Sequence, residues 1–332
     1  MRIDVIVNTT ARRYRAKPSL IDRMSAACAG AAELHPTSNV AELAEVCDRI
    51  ARRGTDLVAL SGGDGSFMAG VTALARAFGE RSLPPLVLLP GGTVATVARN
   101  WGMTGDPAVL LERIIHEARG LRSGAALPGI VRRPTLRARA TTRGGGGGGG
   151  GVEERIGFIF GTGLVASFFD VYYERGGDGY GAAARIVSRV FIESFYGGSC
   201  ARRVLEPLPC TIEVEGRRLA PRAWSLVCSS VVRDLGIHMR VTYRAGEDLE
   251  RPHLVASALP PRELGPRAPL VLAGRRIGGR DHFDDLVRDF TVRFDGAPAP
   301  GDGPYILDGD PLRASEIRIS AGPAIDVLSP RP

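Results

Sequence analysis

Two short glycine turns carry the residue types best suited to chemistry. The first, Ser61-Gly62-Gly63-Asp64-Gly65-Ser66, follows the apolar run Leu57-Val58-Ala59-Leu60 and leads into a helical pattern from Phe67 onward. A strand, a glycine turn and a helix N-terminus make an anion cradle, because amide N–H groups and the positive end of the helix dipole converge there. Asp64 adds a carboxylate where a phosphate would sit, which suits a metal ion or proton transfer. The turn is neither a Walker loop, lacking Gly-Lys-Ser/Thr, nor a dinucleotide turn, lacking G-x-G-x-x-G. The second turn, Pro90-Gly91-Gly92-Thr93, follows the run Leu86-Val87-Leu88-Leu89. Turns at the carboxyl ends of parallel strands share one edge, where ligands bind. Either turn alone reads as a tight strand-to-helix connection; the pair reads as one phosphate site.

The elements that must hold these turns alternate strand and helix over the first 120 or so residues. Ile3 to Val7 is a strand ending at Asn8, and Leu20, Met24, Ala27, Cys28, Ala31 and Leu34 fall at helical spacing. Asn39 caps the next helix, with Glu42 at the capping-box position, a stripe of Val40, Leu43, Cys47 and Ile50, and Gly54 as its stop. Phe67, Val71, Leu74 and Phe78 form the helix after the first turn. Asp106 caps a last helix with Pro107 at its first position. Such βα units imply a parallel sheet covered on both faces. After about residue 125 the period changes to that of short strands, including 211–215, 224–232, 239–244, 254–259, 270–273, 316–320 and 324–328. Only the stretch from about Tyr180 to Tyr196 reads as a helix there. We therefore expect an α/β domain over residues 1–125 and a mostly antiparallel β-sandwich domain over 126–332. The glycine run Gly144 to Gly151 reads as a flexible loop without chemistry of its own.

Bulk properties bound the function. The 332 residues carry a formal net charge of +7, and Lys17 is the only lysine, so the basic balance comes from arginine. Such a surface favours nucleotides, nucleic acid or anionic headgroups. The five scattered cysteines form no C-x-x-C pair and suggest a reducing compartment. No apolar run reaches the ~20 residues of a spanning helix. The five histidines show no metal spacing, Asp281-His282-Phe283-Asp284-Asp285 reads as a solvated acidic loop, and Trp101 and Trp224 read as core aromatics.

The motifs together resemble the diacylglycerol kinase catalytic domain family, which includes bacterial lipid kinases, sphingosine kinases and ceramide kinases. Gly62-Gly63-Asp64-Gly65-Ser66 looks like its G-G-D-G-T/S signature. Pro90-Gly91-Gly92-Thr93 with Ala98-Arg99 is similar to its P-x-G-T-x-N-D-x-A-R motif. Asn8 matches the asparagine of the opening N-P-x-S-G, and Thr37 a threonine that contacts ATP in bacterial members. Phe160-Gly161-Thr162-Gly163 is similar to the F-G-x-G turn, and Leu307-Asp308-Gly309-Asp310 to the late V-D-G-E motif. The resemblance implies ATP- and Mg2+-dependent phosphorylation of a lipid hydroxyl, diacylglycerol-like or sphingoid. Asn8, Thr37, Gly62, Gly63, Asp64, Gly65, Ser66, Phe67, Met68, Gly92 and Thr93 would bind the nucleotide. Asp64 would also hold magnesium, and Asp310 would be the general base, with Asp308 in reserve. It further implies a cytoplasmic protein in peripheral contact with the inner membrane, with a lipid rather than nucleic acid as partner. An edge strand could pair across a homodimer.

The chain departs from the pattern in places. Asp310 replaces the family's glutamate, Ala95 and Thr96 stand where asparagine and aspartate are expected, and Asn8-Thr9-Thr10-Ala11 lacks the proline and glycine of the opening loop. Ala245-Gly246-Glu247-Asp248-Leu249 matches only loosely the D-G-x-L segment around a structural magnesium. Arg99 is a candidate to assist phosphoryl transfer, though a buried structural ion pair is its simpler reading. The alternatives are an NAD kinase-like enzyme, which shares G-G-D-G, and a degenerate member that binds nucleotide or lipid without catalysis.

Overall fold

The computed structural model describes residues 1–92, 94–119, 128–143, 150–174, 176, 179–294 and 302–329. Thr93 and Gly144 to Gly149 therefore lie outside the described residues. The chain divides into two compact units, one of residues 1–133 with 324–332 and one of residues 134–323.

The first unit begins β1 (Ile3–Asn8), α1 (Arg12–Ala16), α2 (Ser19–Cys28), β2 (Glu33–Thr37), α3 (Val40–Arg53), β3 (Leu57–Gly62) and α4 (Asp64–Phe78). It continues with β4 (Leu86–Pro90), α5 (Thr96–Asn100), α6 (Pro107–Arg119) and β5 (Ile130–Arg133). Strands β2, β1, β3 and β4 lie side by side in parallel, and every residue of β3 and β4 is buried. That burial is why these strands read as continuous apolar runs rather than alternating ones. The helix punctuation is as the residue types require. Asn39 accepts the Glu42 amide at 3.0 Å, Glu42 reaches back to the Ser38 amide at 2.6 Å, and Gly54 ends α3 with φ 76°. Asp106 accepts the Ala108 and Val109 amides at the start of α6.

Three elements differ from expectation. The first helical pattern stops at Cys28, and Glu33–Thr37 is an edge strand instead of more helix. Arg12–Ala16 is a one-turn helix too short to leave a periodic signal. The terminal strand Ile325–Leu328, expected in the β-rich domain, joins the first sheet: it runs parallel to β4 and pairs antiparallel with β5. Its apolar residues fit either sheet equally well by pattern; only the returning chain path selects one.

The second unit contains β6 (Leu136–Thr141), β7 (Val152–Gly157), β8 (Ile159–Gly163), α7 (Leu164–Glu174), α8 (Gly179–Ser194) and α9 (Ser199–Leu205). Then follow β9 (Leu208–Pro209), β10 (Thr211–Val214), β11 (Arg217–Arg218), β12 (Ala223–Trp224), β13 (Leu226–Ser230) and β14 (His253–Ser257). The remainder is α10 (Pro261–Leu264), α11 (Ala268–Leu272), β15 (His282–Leu286), β16 (Asp289–Arg293), β17 (Gly303–Leu307), β18 (Asp310–Ala314) and β19 (Glu316–Ala321). Two six-stranded antiparallel sheets result, ordered β11-β10-β16-β19-β6-β7 and β15-β14-β13-β8-β17-β18. Phe160 of β8 meets Phe290 of β16 with ring centroids 5.7 Å apart, so aromatic side chains from both sheets share one core. Val171, Ile186, Val190 and Val204 cover the other face of the second sheet through Leu226, Cys228 and Val255.

Here too the expectation needs correction. Residues 239–244 form turns rather than a strand, and 270–273 fall mostly in α11. Helices α7 and α9 were not expected; the Val-, Phe- and Tyr-rich sequence of α7 has strand-like propensity that packing against β8 overrides. The segment Asp281 to Asp285 is not a solvated loop. It enters edge strand β15, where Asp284 is 1% exposed and accepts from His253 Nε2 at 2.8 Å, beside His282 and the Tyr243 hydroxyl. Burial would raise the Asp284 carboxyl, but the hydrogen bonds and charges of the two histidines outweigh it and hold the carboxyl well below its usual range.

Candidate active site

Parallel register puts three of the expected residues, Asn8, Thr37 and Gly62, on one edge of the first sheet. Asn8 pairs with Thr37, Val7 with Ser61, and Gly62 with Pro90, so the carboxyl ends of β1, β2, β3 and β4 are level. Both glycine turns leave from this edge. The amides of Gly91 and Gly92 donate to the Gly62 carbonyl at 2.8 and 2.9 Å. A Cβ on Gly92 would lie 2.5 Å from the Gly63 Cα, and one on Gly62 would lie 2.4 Å from the Ser66 Cβ. The two turns thus pack backbone against backbone, a contact open only to glycine. Gly92 contributes its small size rather than its N–H, which Gly62 already occupies.

Beyond the turn, Gly63 caps α4, and the first-turn amides of Asp64, Gly65 and Ser66 have no acceptor within the helix. They are the donors suited to a phosphate. Asn8 fixes the entrance: its Nδ2 donates to Ser66 Oγ at 2.8 Å, while its Oδ1 accepts from the Thr10 amide and hydroxyl. Asp64 accepts the Thr96 amide at 2.8 Å and the Val97 amide at 2.9 Å, one on each oxygen, and so caps α5. Burial pushes its carboxyl upward, and the two amides, the Thr96 hydroxyl and the Arg99 charge only partly offset the shift. A carboxylate offers about four lone-pair sites, so with two amides and the Thr96 hydroxyl bound it retains acceptor capacity for one further partner.

Other expected residues are turned away. Thr37 is buried, with its hydroxyl donating to the Val7 carbonyl at 3.3 Å. Phe67 and Met68 point into the core, and the Phe67 amide is spent on the Gly63 carbonyl. Arg99 is exposed on α5 rather than buried, and its charge acts on Asp64. Ala95, where the family pattern has asparagine, has φ 46°, a left-handed conformation that asparagine tolerates better than alanine.

Tyr14 and Arg13 organise this edge without having been expected to. Tyr14 is 1% exposed, its hydroxyl lies 2.5 Å from Ser61 Oγ, and its ring abuts Gly91, where a Cβ would come within 2.6 Å. Burial pushes its phenol up to about 12. Arg13 donates to the Pro90 and Gly105 carbonyls at 3.1 and 2.9 Å. The one-turn helix that carries both residues shows no apolar period; the isolated aromatic near the Asn8 loop was the sole clue.

In the second unit, Asp308 and Gly309 form a two-residue hairpin turn between β17 and β18, with φ 51° and 87°. Positive φ at both positions is the geometry Asp-Gly favours in hairpins. Asp308 is 3% exposed, and its carboxylate accepts the Phe158 and Ile159 amides at 3.0 Å. It is a structural anchor and not a reserve base. Asp310 is the first residue past the turn and is exposed. Surrounding protein still pushes its carboxyl upward, against the charge of Arg155, which is itself held by Glu153.

A magnesium ion suits the donor set at Asp64: one carboxylate with spare acceptor capacity beside amides that would hold phosphates, the usual protein share of such a site. Among the described residues the one group of three metal-ligand side chains, Asp4, Glu33 and His35, lies toward the opposite end of the sheet. Arg53 already pairs with both of its carboxylates, and His35 with Asp4.

Residues 2–122 match the model of the diacylglycerol kinase catalytic domain. No curated protein matches significantly. Among solved structures, one described as a putative diacylglycerol kinase from Bacillus anthracis aligns over 99% of this chain and 97% of its own, at 15% identity and TM-score 0.63. A diacylglycerol kinase structure from the same organism aligns over 99% and 96%, at 13% identity and TM-score 0.57. At such identities these structures establish the fold alone. The two-turn edge thus lies within the stretch, residues 2–122, that matches the model of the diacylglycerol kinase catalytic domain, in a chain whose fold is similar to that of the Bacillus proteins along nearly its whole length.

Proposed function

We propose that this protein transfers the γ-phosphate of ATP to a lipid hydroxyl. The observation that carries the reading is the locked pair of glycine turns with Asp64 at the head of α4. That edge offers a row of helix-terminal amides for phosphate oxygens and a carboxylate for their magnesium. The metal would neutralise phosphate charge. Asp64 serves twice, toward the metal and as the cap that keeps α5 seated. Phosphoryl transfer needs positioning and charge compensation more than covalent chemistry. An alcohol is a poor nucleophile at neutral pH, so a carboxylate must take its proton. Asp310, exposed and with a raised carboxyl, is suited to that role.

The acceptor is an amphiphile at an anionic phospholipid surface. Support comes from α8 and the residues just past it, where Ala184, Arg185, Ser188, Arg189, Ile192, Glu193 and Tyr196 border a groove of about 560 Å³. Arg189 is paired to Glu193, and Arg185 is the other basic group. Ile192, Phe195 and Tyr196 are 58–64% exposed beside the two arginines. Apolar anchors flanked by arginine are the composition of a membrane-surface helix. No helix among the described residues is long and apolar enough to cross a membrane.

The rival reading is nucleotide binding without transfer. It is favoured by Ala95 in place of the family's asparagine and by Asp310 in place of its glutamate. The deciding assay is labelled ATP with total lipid extract, using wild type, Asp64→Ala and Asp310→Ala. Label in lipid, lost in both variants, supports the kinase. Transfer unaffected by Asp64→Ala sinks the proposed site, and ATP binding with no transfer supports the rival. Binding to anionic vesicles, weakened by Ile192→Asp with Phe195→Asp, tests the surface; equal binding by the double variant refutes it.

A further inference from the structure

We propose that Tyr173 is the positioning residue for Asp310, holding the hairpin tip from which that carboxylate projects. The inference rests on the reading of Asp310 as the acceptor base. An aspartate has one methylene less than glutamate and cannot search for its substrate, so its placement falls to the backbone. The tip is gripped from two sides. Asp308 ties it to the Phe158 and Ile159 amides, and the Tyr173 hydroxyl donates to the Gly309 carbonyl at 2.9 Å. The Tyr173 ring is held in turn by Phe169 and Tyr172, with centroids 5.8 and 5.5 Å away. Its phenol titrates above the ordinary value, through burial and the nearby Asp310 charge, and so remains a donor throughout the working pH range.

The arrangement separates a residue that takes a proton from one that fixes where it is taken. Tyr173→Phe keeps the ring and its packing and removes only the hydroxyl. We expect kcat for phosphate transfer from ATP to diacylglycerol in mixed micelles to fall on the order of 10- to 100-fold. The KM for ATP stays unchanged, and the melting temperature moves by no more than about 2–4 °C. In an Asp310→Glu background the same substitution costs less than about threefold, because a longer side chain can re-seat itself. Hydrogen exchange across residues 303–314 accelerates about fivefold, the loss expected from one hydrogen bond.

Asp310→Asn separates the two ideas. If it stays fully active, the base reading fails and takes this inference with it. If it is inactive while Tyr173→Phe retains wild-type kcat, the inference alone is overturned. If wild type transfers nothing to diacylglycerol, exchange decides: acceleration in Tyr173→Phe upholds its grip on the tip, and unchanged exchange overturns it.

Discussion

A single methyl group at Gly92 tests whether the two glycine turns are one rigid cradle. The Cβ of Gly92→Ala would lie 2.5 Å from the Gly63 Cα and 3.1 Å from the Gly63 nitrogen. Both neighbours are backbone, so no side chain can swing aside, and ordinary contact requires the turns to part by about 1 Å. That movement breaks the 2.9 Å bond from the Gly92 amide to the Gly62 carbonyl and shifts the start of α4. Overpacking of this kind costs about 1–3 kcal/mol, or roughly 3–10 °C in melting temperature for a unit of this size. Losing even one charge-assisted bond to phosphate costs about 1.5–3 kcal/mol, hence roughly 10- to 100-fold in the Kd for ATP. Calorimetric titration with Mg-ATP and thermal unfolding, run side by side, read both effects. Gly181→Ala is the control: its Cβ meets nothing within 4 Å in helix α8, and it is expected to be neutral or slightly stabilising. Unchanged affinity and stability in Gly92→Ala would refute the idea that the packed turns build the nucleotide site.

Tyr14→Phe removes the hydroxyl beside Ser61 and is expected to cost about 1–2 kcal/mol by chemical denaturation, with weaker nucleotide binding; no change would show that Tyr14 merely fills space. Ala95→Gly removes the Cβ of a buried left-handed residue at the start of α5 and should raise stability by up to about 1 kcal/mol, measured by urea midpoint; a loss would show that the Ala95 methyl packs. Asp284 has a depressed carboxyl, so its contribution is complete above the unfolded value near 4 and declines as pH falls below it. Asp284→Asn should therefore cost about 3–5 kcal/mol at neutral pH and progressively less toward pH 2, and an equal loss at both would be contrary evidence. Asp310 has a raised carboxyl, so the acid limb of kcat should lie above the ordinary aspartate value of about 3.9, since proton abstraction needs the ionised form. A limb at or below that value would argue against Asp310 as base.

Linear order alone revealed the strand–turn–helix units, the caps at Asn39 and Asp106 and the pair of glycine turns. Each is a local arrangement, set by neighbours a few residues apart. The position of Asp310 beside a motif-like Asp-Gly was equally legible, because a two-residue hairpin turn is specified by its own residues. The tertiary structure decided the rest. It joined residues 325–328 to the first sheet, turned Thr37, Phe67 and Met68 inward, and spent the Gly92 amide on Gly62. It also recruited Tyr14 to one turn and Tyr173 to the hairpin tip, contacts 47 and 136 residues apart along the chain. Periodicity can say which face of an element is buried, but not which distant polar group will meet a buried hydroxyl or an unpaired carbonyl. Those partnerships arise only when strands stand in register, and they determine which residues of a recognisable motif remain available for chemistry.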